Sequence, residues 1–365
     1  MKRLTNISVN IPQKNAYCYN ILIGSGLLAQ AEELIKKYTV ASKFLVVTNE
    51  TVFDLYKDKL QLKNANYVIL KDGEEYKNIE SYKKILDAAV ENKLERKDCI
   101  VAFGGGIVGD MAGFAAACYM RGIDFVQIPT TLLAQVDSSV GGKVAINHEN
   151  GKNLIGAFYQ PKLVLTDVDI LKTLDLRQLK TGLAEVLKYA FIEKSCACEK
   201  DFEFFEFLKK NKDKIFKLDE NVITDLIKIC CELKSAVVNQ DETEKGLRAI
   251  LNLGHTFAHA TENLTDYKIF THGEAVAMGM KSALKLSLKK GFINSNYYQM
   301  IMDLIDKYEI AKPMPDFDKE KFYEELFLDK KTQDGNIRFV LPNDNFTVSI
   351  TSDVSKDEII DCLQV

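Results

Sequence analysis

Histidine is scarce in this chain: four residues in 365. Cysteine is less so, but its eight positions, Cys18, Cys99, Cys118, Cys196, Cys198, Cys230, Cys231 and Cys362, contain no CxxC pair. That excludes a zinc ribbon and a disulfide scaffold, and leaves small free thiols in a reducing compartment. No apolar run approaches the roughly 18 residues that cross a bilayer. The opening MKRLTNISVNIPQKN is a short basic stretch without a hydrophobic signal core, so the chain is expected to stay in the cytoplasm. Net charge is nearly absent as well: 48 basic against 52 acidic residues, formally −4, give no global field to draw in nucleic acid or an anionic membrane. A small soluble ligand is the better expectation. Internal repeats and low-complexity linkers are missing too.

What is present falls into two rhythms. Short β-branched runs alternate with amphipathic stretches in the first half: KFLVVTN then ETVFDLYKDKL, NYVIL then IESYKKILDAAVENKL, DCIVAF then a glycine cluster and VGDMAGFAAACYM, DFVQIPTT then LLAQVDSS, and finally LVLTD. This alternation is that of a parallel sheet with helices on both faces. After about Thr173 the period becomes helical, in LKTGLAEVLKYAFIEK, FEFFEFLKKNKDKIF, NVITDLIKICCELKSAVV, LRAILNLGHTFAHATE, GEAVAMGMKSALKLSLKK and YYQMIMDLIDKY. Only IRFVLP and FTVSIT read as strands there, a small hairpin across NDN. With 47% apolar residues there is ample material for two cores. The expected domains are 1–174, α/β and nucleotide-binding in the Rossmann manner, and 175–365, helical.

Between a buried strand and a helix start lies AFGGGIVGDMAGFAAA. Gly104, Gly106 and Gly109 satisfy GxGxxG, and Gly105 removes one more side chain, so backbone N–H groups can approach a pyrophosphate at a helix N-terminus. A tight turn with close helix–sheet packing is the competing reading. The fingerprint begins about a hundred residues into the chain rather than in the first βαβ unit. Earlier strands must therefore help to hold the nucleotide. TNET, with Asn49, and DGEEYK each follow a strand and are candidates for ribose and adenine contacts.

Three of the four histidines, His255, His259 and His272, fall within eighteen positions. His255 and His259 are four apart and share a helix face; His272 comes just before a further helix. Imidazoles gathered in this way suit a catalytic divalent metal with an open position. HExxH is lacking, which argues against a zinc protease. Glu185, Glu244, Glu262 and Glu274 are carboxylates that could complete the set. Glu185 sits in an apolar segment with Lys188 one turn on, so a metal ion or a plain ion pair could be its partner. Around these lie Arg121, Thr130, Thr131, Asp137, Lys143, Lys152 and Asn153, then Lys234, Glu244, Arg248 and Asn252. Cations beside glycine turns suit a substrate with several negative groups.

The segments FGGGIVGDMAGFAAACYMRGIDFVQIPTTLLAQVDSSVGGKVAINHENGKNLIGAFYQP, LAEVLKYAFI, LNLGHTFAHATE and HGEAVAMGM resemble the 3-dehydroquinate synthases, densely from 101 to 280 and more thinly beyond. The resemblance implies an N-terminal nucleotide-binding domain, a helical C-terminal domain, NAD and zinc or cobalt between them, and a homodimer. It implies Glu185, His255 and His272 as metal ligands, with His259 turned instead to the substrate phosphate. It assigns NAD to Asp72, Gly73, Glu74, Glu75, Tyr76, Lys77, Gly106, Ile107, Val108, Gly109, Asp110, Thr130, Thr131, Lys143, Lys152, Ile170, Leu171, Lys172 and Thr173, to which the strand-end and glycine-loop readings add Asn49 and Gly105. The substrate falls to Arg121, Asp137, Lys143, Asn153, Lys188, Lys234, Arg248, Asn252, His259 and Lys331, with Lys330 the competing lysine and Arg121 reaching across the dimer. Ala258 stands where many relatives have glycine, a change that a helix tolerates. The implied reaction takes 3-deoxy-D-arabino-heptulosonate 7-phosphate to 3-dehydroquinate and phosphate, a step of the shikimate pathway to aromatic amino acids, with no net redox change. Other sugar-phosphate cyclases of the 2-deoxy-scyllo-inosose or valiolone type, a metal-dependent polyol dehydrogenase and a non-catalytic NAD sensor are the alternatives.

Overall fold

The computed structural model describes residues 18–328 and 337–363 of the chain. Its centre is a six-stranded parallel sheet: β1 (Asn20–Gly24), β2 (Phe44–Asn49), β3 (Ala65–Leu70), β4 (Cys99–Gly104), β5 (Asp124–Pro129) and β8 (Leu163–Asp167), in spatial order β1-β8-β5-β4-β2-β3. The central strands CIVAFG and LVLTD are buried at every residue, which is why they read as continuous apolar runs rather than alternating ones. One face is covered by α1 (Ala31–Ile35) and α2 (Glu50–Tyr56), the other by α3 (Ile79–Glu91) and α4 (Gly106–Cys118). From β2 the chain moves outward to β3 and then returns to β4 on the opposite side, so the crevice beyond the ends of β2 and β4 is the topological switch point where such sheets bind ligands.

A hairpin that the strand pattern does not announce, β6 (Lys143–His148) and β7 (Gly151–Phe158), lies on α4 through Val144 and Ile146. Gly113 of α4 permits this seat, since a Cβ there would lie 2.4 Å from Val144. The stretch LLAQVDSS, expected as an ordinary helix, makes a π-helical turn at Ala134–Ser138.

The helical part comprises α5 (Leu176–Ile192), α6 (Phe204–Phe216), α7 (Glu220–Gln240), α8 (His255–Leu264), α9 (His272–Lys289), α10 (Ser295–Tyr308), α11 (Lys319–Leu328) and α12 (Lys356–Cys362). The expected hairpin is present as β9 (Phe339–Asn343) against β10 (Thr347–Thr351). Helix α5 is buried on all sides from Thr181 to Ile192, the mark of a helix at the middle of a bundle. The stretch LRAILNLGHTFAHATE was expected as one helix. It is instead a 3₁₀ segment, Leu247–Asn252, a break at Gly254 with φ +80°, and then α8. The break follows from crowding: a Cβ on Gly254 would sit 2.8 Å from Met280 of α9. Helices α11 and α12 have no counterpart in the sequence reading.

Candidate active site

On the sheet side, the expected nucleotide residues lie just past the carboxyl ends of parallel strands. Asn49 ends β2 and caps α2, its side chain accepting from Val52 N–H. It also donates to Asp72, whose other oxygen accepts from Thr51 at 2.5 Å. After β3, Gly73 has φ +124° and Glu74–Tyr76 form a single 3₁₀ turn, with Glu75 exposed. Lys77 is buried, and its ammonium donates to Asp110 and, at 2.5 Å, to Asn153 on β7. Burial raises the Asp110 carboxyl, partly offset by Lys77.

Beyond β4, helix α4 opens at Gly106 with no side chain capping its first N–H groups. Gly105 and Gly106 keep that opening bare: added Cβ atoms would crowd Thr131 at 3.2 Å and Ser138 Oγ at 3.0 Å. Unclaimed N–H groups at the positive end of a helix are a cradle for a phosphate. Ile107 and Val108 form its first turn, and Gly109 lets Gln127 approach within 2.9 Å of where a Cβ would be. Thr130 and Thr131 follow β5; Thr130 is buried, and Thr131 accepts from Ala134 N–H. After β8, Ile170 and Leu171 are buried and Thr173 bonds the Ile170 carbonyl and Tyr56. Lys172 turns outward to Asp169.

On the helical side, Glu185 of α5, His255 at the start of α8 and His272 at the start of α9 bring ligand atoms within 4.8 Å of one another. His255 Nε2 is 3.5 Å and His272 Nε2 is 3.6 Å from Glu185 Oε1. Backbone contacts between helices set this meeting. Gly273 lies so close to α5 that a Cβ would be 2.3 Å from the Thr181 carbonyl, and at Gly279 one would be 2.1 Å from the Gly254 carbonyl. A capping box, Thr271 with Glu274, fixes the start of α9, and Arg177 grips Glu274 through two nitrogens at 3.0 and 2.7 Å. Both Glu185 oxygens are buried: the Lys188 ammonium pairs with Oε2, and the two imidazoles face Oε1. Burial would raise this carboxyl, but Lys188 and His272 hold it below the usual carboxylate range. Two imidazoles and a buried carboxylate converging in this way fit a divalent cation. His259 is not one of the three whose ligand atoms converge, although its ring lies 5.7 Å from that of His255 and nearly perpendicular to it.

Between the two sides lies a charged pocket. Asp137, on the π-helical turn, accepts from Tyr189 at 2.5 Å and meets Lys234 at 3.0 Å and Lys188 at 3.9 Å. Burial opposes its charge, but the two ammonium groups and Tyr189 hold the carboxyl far below its ordinary value. Burial pushes Lys234 down to about 8 despite Asp137. Arg248 is 2% exposed and clamps the Gly141 carbonyl at 3.1 Å and that of Glu242. Glu244 links Lys143 to Asn252, accepting from the latter at 2.7 Å. Lys152 lies 3.5 Å over the Tyr267 ring and 3.8 Å from Glu74.

The family model described as 3-dehydroquinate synthase N-terminal matches residues 67–181, and the C-terminal one matches residues 182–332. A 3-dehydroquinate synthase of Saccharophagus degradans is 46% identical over 347 residues, covering 93% of this chain and 94% of its own. The chain belongs to the 3-dehydroquinate synthase family. Its fold is also that of related cyclases. The 2-epi-5-epi-valiolone synthase of Streptomyces hygroscopicus subsp. jinggangensis, solved with NAD+ and Zn2+, superposes with a TM-score of 0.85 at 25% identity, covering 97% of this chain and 98% of that one. A 2-deoxy-scyllo-inosose synthase complexed with carbaglucose-6-phosphate, NAD+ and Co2+ gives 0.79 at 28%, covering 95% and 97%.

Not every residue that the 3-dehydroquinate synthase resemblance names is gathered here. Arg121 is exposed at φ +66° on the turn after α4 and has no ion-pair partner among the described residues. Lys330 and Lys331 lie outside the described residues. Two pocket members were not foreseen in their present roles. Tyr189, buried on Asp137, had a signal: it follows Glu185 by one helical turn. Glu262, which meets His272 Nδ1 at 3.2 Å, appeared only as one of several nearby carboxylates.

Proposed function

We propose that the chain converts 3-deoxy-D-arabino-heptulosonate 7-phosphate to 3-dehydroquinate and phosphate, the reaction for which its family is named. The observation that carries this reading is the meeting of Glu185, His255 and His272 in a chain whose α4 opens with a bare N-terminus. Gly105 to Asp110, Asn49, Asp72 to Lys77, Thr130, Thr131, Lys152 and Ile170 to Thr173 would hold NAD, and the trio would hold Zn2+ or Co2+. When bound, NAD supplies a reversible hydride acceptor and the cation polarises the substrate hydroxyls beside it.

The chain's own residues orient the substrate. Lys143, Lys152, Asn153 and His259 take the phosphate. Lys234 and Arg248 take the carboxylate, Arg248 from a guanidinium already fixed by two backbone carbonyls. Asp137, kept ionised by Lys234 and Lys188, accepts from substrate hydroxyls, while Glu244 keeps Lys143 and Asn252 turned to the pocket. Closure of the hairpin side on the helical side would exclude water. A second copy would pair along β7, which has no further strand on its free edge among the described residues and exposes Leu154, Ile155 and Phe158. Arg121 precedes Gly122, which lies against the hydroxyl of Tyr159, the residue just past β7. Eight free thiols suit the cytoplasm.

Incubation with the heptulosonate phosphate and catalytic NAD should release one phosphate per substrate without net NADH. Steady NADH accumulation would instead mark a polyol dehydrogenase, and a different carbocycle from a hexose phosphate would mark a related cyclase. Light scattering should give a dimer, with Leu154→Asp shifting it to monomer; a native monomer would remove the second copy from the site.

A further inference from the structure

Two imidazoles present the same atom, Nε2, to Glu185, at 3.5 and 3.6 Å. What frees Nε2 is whatever holds Nδ1 on the other side of each ring. For His255 that is the Leu253 carbonyl at 3.1 Å, a neutral group that only accepts. For His272 it is a carboxylate, Glu262 Oε1, at 3.2 Å. An acceptor at Nδ1 fixes the proton there in both rings. A charged acceptor does more: it draws on that proton and makes Nε2 the stronger donor.

Glu262 comes from α8, two helical turns after His255 and on the same face, so one helix supplies a ligand and the support of another. Its side chain is only 7% exposed. A carboxylate is seldom buried to that degree without a polar partner, and here the His272 ring supplies one. We propose that Glu262 is a positioning residue, which orients His272 and strengthens it as a ligand of the divalent cation. The inference rests on the metal site proposed above.

The test is a Zn2+ titration of the full chain, stripped of metal, against a competing chromophoric chelator, with the visible spectrum of bound Co2+ as a second readout. Glu262→Ala should weaken Zn2+ by roughly ten- to a hundredfold and alter the Co2+ bands, and Glu262→Gln, which keeps an accepting oxygen, should fall between it and the native chain. Asn263→Ala is the structural control. It removes the 2.7 Å bond from α8 to Glu325 without touching His272 and should leave both readouts unchanged. Native affinity in Glu262→Ala, a Gln variant no better than Ala, or an equal loss in Asn263→Ala would each overturn the proposal. If Glu262→Ala does not fold, Glu262→Gln decides alone, and a loss under about threefold sinks it. A native chain that binds no Zn2+, or a Glu185→Ala variant that binds it normally, would instead remove the metal site itself.

Discussion

At the carboxyl ends of β2, β4 and β5 the site is made largely of main chain: the glycines after β4, the uncapped N–H groups of α4 and short turns. On the helical side it is made of side-chain atoms from α5, α8 and α9, three of them within 4.8 Å of one another. The two constructions should fail differently. A site of peptide groups loses affinity when its approach is blocked, but no single side chain carries it. A site of a few buried charges collapses when one is removed, because its partners are then left unpaired in a place where that is costly.

The sharpest test of that contrast is a pair of helical-side variants. Glu185→Ala should lose both bound zinc, by metal analysis, and turnover, on the order of a thousandfold, as developing charge goes unstabilised. His259→Ala should keep zinc and lose turnover about a hundredfold through misplaced phosphate. Equal metal loss in the two would overturn the ligand assignment.

Glycines on either side give the next largest difference. Gly273→Ala drives a methyl into the Thr181 carbonyl, 2.3 Å away, and should cost about 1–3 kcal/mol by calorimetry, with weaker zinc. Gly105→Ala meets only the Thr131 methyl at 3.2 Å, so stability should change by less than about 1 kcal/mol while NAD binding, by fluorescence titration, weakens about tenfold. Equal stability losses would erase the distinction between the two sides.

The smallest effect is in pH. Lys234 is pushed down to about 8 by burial. As pH rises through about 8 it loses its charge, and kcat/KM for the doubly anionic substrate should fall severalfold; Lys234→Arg should flatten that limb. For stability the sign is opposite. The unfolded lysine titrates near 10.4, so the cost of burying the cation is full below pH 8 and is relieved progressively up to about 10.4. A limb unchanged in Lys234→Arg would assign the pH dependence to another group.

The same contrast explains what the sequence could tell. Main-chain sites leave local marks: AFGGGIVGD shows its turn, its preceding strand and its helix within nine residues. The order β1-β8-β5-β4-β2-β3 left none, nor did β1, a five-residue strand. The β6–β7 hairpin did offer a cue, Asn150–Gly151, but the glycine-rich stretch around it drew attention to anion binding instead. The histidines were visible as a cluster, yet spacing alone could not separate His259 from its neighbours, because His255 and His259 share a helix face. What distinguishes them is the position of Glu185, some seventy residues earlier, and that depends on how three helices pack. The break at Gly254 was equally hidden, since its cause is Met280, distant in sequence.

Helix α9 touches the helices of Glu185 and His255 through peptide groups, at Thr181 with Gly273 and at Gly254 with Gly279. Rotamer changes, the ordinary way in which proteins absorb small disturbances, therefore have no slack to offer at these two crossings. The cage around Glu185, His255 and His272 inherits the stiffness of the polypeptide framework, and an ion of the wrong radius would meet resistance from three entire helices rather than from three side chains.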